Sequence, residues 1–133
     1  MIIVDASVLT NALTDDGPLG RLAQSELARD VHWSGPEHLL VESLSAVRGR
    51  LLGGKIGHQR AAEALEALEQ AAIELLPSAP LLRRMWELRA NLTAYDAAYV
   101  AAAEAHGGVL VTGDRRLAQA PGLGCEVRLA IPA

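Results

Sequence analysis

The sequence predicts an α/β fold. We expect a single three-layer domain over residues 1–133, with a central, mostly parallel sheet of about five strands flanked by helices. Three observations carry this. Short apolar runs rich in Val, Ile and Leu recur at Met1–Val4, Val31–Ser34, Ile73–Leu76, Val109–Thr112 and Glu126–Ile131. Between them lie stretches with helical apolar spacing. The 133 residues, 50% of them hydrophobic, are enough for one core, and no repeat, low-complexity tract or linker divides them.

Residues 1–4 do not alternate, so they read as a buried strand. A short helix from about Ala6 to Leu13 follows, stopped by Asp15-Asp16-Gly17-Pro18. Pro18 suits the start of the next helix, which puts Leu19, Leu22, Ala23 and Leu27 on one stripe. Val31-His32-Trp33-Ser34 is the second strand, punctuated by Gly35-Pro36. A helix from about Glu37 to Leu52 aligns Leu40, Leu44, Val47 and Leu51, and Gly53-Gly54 ends it. Residues Gly57 to Ala72 form an Ala/Glu-rich helix, and Ile73–Leu76 the third strand. Ser78 is placed to cap a helix from Ala79 to about Ala90, with Pro80 in its first turn. Thr93 starts an Ala-rich helix to His106, which Gly107-Gly108 ends. The strand 109–112, a short helix near 115–120 and a last strand at Glu126–Ile131 complete the chain.

Composition narrows the function. No run of ~18 uncharged apolar residues occurs, so no membrane span or membrane partner is expected. The N-terminus lacks the basic flank of a signal peptide, and Cys125 is alone, so a reducing, cytoplasmic setting is expected. His32, His38, His58 and His106 have no zinc-like spacing. A net charge of −4 gives no support to non-specific nucleic-acid binding. Yet every basic residue except Lys55 is Arg, the better group for gripping phosphate. Arg83, Arg84 and Arg89 form one group, Arg115 and Arg116 another; each is otherwise a solvated helix face.

Four acids carry the chemical signal. Asp5 ends the first strand and Asp114 follows the fourth; ligands of open α/β sheets bind outside such carboxyl ends. Glu42 and Asp96, on helices, are placed where they could reach the same rim. Clustered oxygen ligands suit Mg²⁺ or Mn²⁺, and a metal clamped by acids is a standard device for cleaving phosphodiesters. Each Asp also has an ordinary role as a helix cap. Glu42 has none: it sits off the apolar stripe beside Leu39 and Ala46, and needs a partner, either a metal or a base such as Arg48. Ser7 and Thr112 are placed either to support a ligating carboxylate or to cap locally.

The segments Ile3-Val4-Asp5-Ala6-Ser7-Val8, Leu40-Val41-Glu42, Leu92-Thr93-Ala94-Tyr95-Asp96-Ala97-Ala98-Tyr99 and Leu110-Val111-Thr112-Gly113-Asp114-Arg115-Arg116 resemble the acidic motifs of PIN-domain ribonucleases, and most of all VapC-type toxins. The resemblance spans the chain in order. It implies a Mg²⁺- or Mn²⁺-dependent endoribonuclease, the toxin of a type II toxin–antitoxin pair. It assigns catalytic, metal-holding roles to Asp5, Glu42, Asp96 and Asp114 and supporting roles to Ser7 and Thr112. It also implies a homodimer, an RNA substrate, and inhibition by a small cognate antitoxin whose C-terminal segment fills the groove. Many PIN domains outside the VapC group carry another acid two residues past the fourth, where this chain has Arg116.

Other α/β readings fail on single residues. A haloacid-dehalogenase-type phosphatase wants an Asp where Ser7 stands; a receiver domain wants a late Lys, but Lys55 is central. A dinucleotide fold wants glycines after the first strand, where Asp5-Ala6-Ser7 lies. The rival of another class is a catalytically inactive PIN-like binding module acting through a partner protein, with the acids serving as caps. The scarcity of aromatics argues against extensive base stacking. The apolar residues of helices 19–29 and 57–72 are candidates for the dimer surface.

Overall fold

The apolar runs pair edge to edge in the computed structural model, which describes residues 1–133. The strands are β1 (Ile2–Val4), β2 (Trp33–Pro36), β3 (Ile73–Leu76), β4 (Val109–Thr112) and β5 (Val127–Leu129). Their order is β3-β2-β1-β4-β5, and every neighbouring pair is parallel, so the sheet is wholly rather than mostly parallel. Ile2 stands opposite both Trp33 and Val109. Successive strand residues face opposite sides, and Ile2, Ile3 and Val4 are each 2% exposed or less, so both faces of β1 are covered.

The helices are α1 (Ala6–Thr14), α2 (Pro18–Leu27), α3 (Leu39–Leu52), α4 (His58–Gln70), α5 (Leu82–Glu87), α6 (Ala94–His106) and α7 (Arg115–Ala118). The middle of α6, Ala97 to Ala103, is buried at every residue. Small alanines let it lie close against β1, β2 and β4. From β1 the chain steps outward through β2 to β3, then returns to β4 on the other side of β1 and steps out to β5. The order therefore reverses between β1 and β4, and a crevice opens beyond their carboxyl ends.

Several boundaries differ from those the sequence suggests. Strand β2 lies later, at Trp33–Pro36, while Val31 is 98% exposed. Pro36 is tolerated because it pairs only on the β3 side, at the strand's end. The buried stripe of α3 is Leu39, Ser43 and Val47, with Leu44 turned to solvent. Leu39 packs directly on Gly35: a Cβ there would stand 2.5 Å from Leu39 Cδ2. On α2 the buried residues are Gly20, Ala23 and Leu27, and Leu19 is exposed. The helix expected from Ala79 to Ala90 is a 3₁₀ turn at Ala79–Leu81 followed by α5, and the Ser78 side chain caps neither. The end of α6 is as expected, with Gly107 left-handed at φ 66°.

Candidate active site

Asp5 lies at the crevice because β1 ends there. Asp5 is 4% exposed and, contrary to the capping role open to it, its side chain makes no capping hydrogen bond to α1. Instead Ser7 Oγ and Thr112 Oγ1 both donate to one oxygen, Oδ2, at 2.6 and 2.7 Å. Each hydroxyl also accepts an amide of the turn after β4, Gly113 N–H on Ser7 and Asp114 N–H on Thr112. The two hydroxyls thus tie the end of β1 to the end of β4 through a single carboxylate. No basic side chain forms an ion pair with Asp5. Burial pushes its carboxyl above the usual range against these hydrogen bonds, and Asp114 adds to the rise.

The other three acids share this field. Burial raises the Glu42 carboxyl, and the charges of Asp5 and Asp96 raise it further. Burial also raises Asp96, followed by Asp5 and Asp114. Asp5 is therefore the hub of the set. Asp96 and Asp114 line one cavity of about 150 Å³, together with Thr93 and Arg116. Glu42 lines a second, of about 260 Å³, with His38 and Tyr95. Two capping roles do hold. Thr93 accepts the Asp96 amide, and Asp114 Oδ1 accepts the amides of Arg116 and Leu117, leaving Oδ2 without a hydrogen bond.

Sequence reasoning missed two neighbours of Glu42. Tyr99 is fully buried on α6, and its hydroxyl donates to Glu42 Oε1 at 3.1 Å. Burial first, then Asp5 and Glu42, raise its pKa far above the usual phenol. His38 Nε2 stands 3.7 Å from Glu42 Oε2, and burial lowers its imidazole pKa. Arg48, the basic partner considered for Glu42, makes no ion pair with it. Among the arginines, Arg84 is consumed by Glu104, Glu87 and the Gly122 carbonyl, and Arg89 lies over Trp86. Arg116 is the cation at the acids, and it partly offsets the rise at Asp96.

A divalent ion fits this donor set chemically. A buried carboxylate with no basic partner needs a cation to stay ionised cheaply, and all four groups offer hard oxygen. The fit is incomplete geometrically: no three His, Cys, Asp or Glu side chains converge into one ready cage. Like-charge repulsion among the acids opposes such convergence.

Comparison with known proteins decides the family. A model described as PIN domain matches residues 2–123. The chain belongs to the PIN-domain family. Ribonuclease VapC1 of Mycobacterium tuberculosis is 40% identical to it over 129 residues, covering 96% of each chain. VapC ribonuclease Mb0985 of Mycobacterium bovis is 37% identical over 129 residues, again with 96% of each chain covered. These relatives place this PIN domain with the VapC type. The crystal structure of FitAcB from Neisseria gonorrhoeae superposes with a TM-score of 0.71 at 18% identity, over 96% of each chain. That of VapBC2 from Rickettsia felis, bound to a promoter DNA fragment, gives 0.66 at 16% identity over 97% of this chain and 98% of that one. At these identities the two structures establish the shared PIN fold. No helix is long and apolar enough to cross a membrane.

Proposed function

We propose that this PIN-domain protein is a divalent-metal-dependent endoribonuclease, the toxin of a type II toxin–antitoxin pair. The observation that carries the reading is Asp5: buried, held by two hydroxyls, without a basic partner, and coupled by charge to Asp114, Glu42 and Asp96. The ribonuclease names of its VapC relatives support the same activity. Asp5, Glu42, Asp96 and Asp114 would hold Mg²⁺ or Mn²⁺. Such an ion supplies Lewis acidity toward both water and the phosphate oxygens.

The protein's own groups do the rest. Ser7 and Thr112 fix Asp5, and Tyr99 fixes Glu42. Arg116 at the rim holds a flanking phosphate. Water oxygen bonds to phosphorus, the P–O3′ bond breaks, and the products are a 5′-phosphate and a 3′-hydroxyl. The protein acts as a cytoplasmic homodimer held in check by a small antitoxin that covers this crevice. VapBC2, a PIN-fold neighbour solved bound to promoter DNA, supports a partnered state.

The ends of the cut RNA test the reaction. Fragments should ligate directly to adaptors that require a 5′-phosphate, and none should form in EDTA. Cyclic phosphate ends formed in EDTA would contradict the proposal.

A further inference from the structure

We infer that His38 is a positioning residue for Glu42, its Nε2–H donating to Glu42 Oε2 so that both carboxylate oxygens are held. The inference rests on the reading of Glu42 as a metal-holding acid.

His38 stands immediately before α3, one turn ahead of Glu42. Its ring is fixed by two edge contacts, with Tyr95 at 5.6 Å and 72° and with Tyr99 at 5.2 Å and 77°. Those contacts leave Nε2 buried without a hydrogen-bond partner. Buried polar nitrogens are seldom left so. Glu42 Oε2 lies 3.7 Å away and also makes no hydrogen bond, while Oε1 accepts from Tyr99. The remaining gap is a few tenths of an ångström beyond bonding distance, and the terminal torsion of Glu is soft. One small rotation of the carboxylate completes a clamp in which Tyr99 holds one oxygen and His38 the other.

The test measures Mn²⁺ dissociation constants by calorimetry for wild type, His38→Gln, His38→Leu and Glu42→Gln, each checked by melting in EDTA. Gln keeps a donor at His38, and Leu keeps bulk without one. Leu should weaken Mn²⁺ binding by about tenfold, the scale of losing a group that orients a ligand, and Gln should remain close to wild type. Leu binding as tightly as wild type, or Gln and Leu losing equally, while Glu42→Gln is weakened, would overturn the role of His38. Unchanged binding in Glu42→Gln would instead overturn the four-acid reading itself.

Discussion

Asp5 is a charge the fold encloses at a cost. Its carboxyl is raised from 3.8, chiefly by burial, so the ionised form is disfavoured in the folded chain. For an acid raised in this way, the penalty is absent below the unfolded value and grows as pH rises through the folded one. Asp5→Asn should therefore melt higher than wild type at pH 8 in EDTA, and the gap should close as pH falls toward 3.8. Melting curves across pH check this; an Asn variant less stable at high pH would contradict it. Thr112→Val removes both a donor to Asp5 and an acceptor of the Asp114 amide. It should cost about 1–3 kcal/mol in urea unfolding, since the buried Asp5 carboxylate loses a donor and the Asp114 amide its acceptor. The strand-end acids were legible because apolar runs stop at them. His38 and Tyr99 were not: Tyr99 meets Glu42 across 57 residues of sequence, and no local pattern announces such a contact. Asp5 was ambiguous, since an Asp before a helix reads as a cap whether or not its oxygens turn to the amides.

Among the elements, α7 separates capping from chemistry. Asp114 caps it through Oδ1 alone. Asn caps as well as Asp, so Asp114→Asn should change stability by less than about 0.5 kcal/mol, whereas Asp114→Ala should cost about 1. Both should lose metal-dependent cleavage. Denaturant unfolding beside RNA cleavage reads the two effects separately. Elsewhere, Arg84 ties α5 to Glu104 on α6 and to Gly122 in the loop between α7 and β5. Arg84→Met should destabilise by about 1 kcal/mol, since the pair is partly exposed, and leave cleavage intact. Elements bounded by strong punctuation were readable, as in β1, β4 and α6. Strand β2 was shifted because Gly35-Pro36 ordinarily mark a turn, while here Gly35 makes room for Leu39. The α3 stripe was misplaced because tertiary packing chose among adjacent apolar faces.

For the whole molecule, strand order decides where the acids meet. The reversal between β1 and β4 brings Asp5 and Asp114 to one crevice from opposite ends of the chain. Alternating strands and helices foretold a parallel sheet, but the order of its strands was fixed by pairings between distant segments. An ion bound there should stabilise the fold as a whole, by about 2.7 kcal/mol at a hundredfold excess over Kd. Mn²⁺ should accordingly raise the melting temperature of wild type and not of Asp5→Asn. The most direct test of the central claim is cleavage of a labelled total-RNA pool by purified, antitoxin-free protein, with Mn²⁺, with Mg²⁺, with EDTA, and with Asp96→Asn alongside. The four-acid site requires cutting that depends on metal and vanishes in the folded variant. Equal cutting by wild type and Asp96→Asn, or cutting that persists in EDTA, would contradict it.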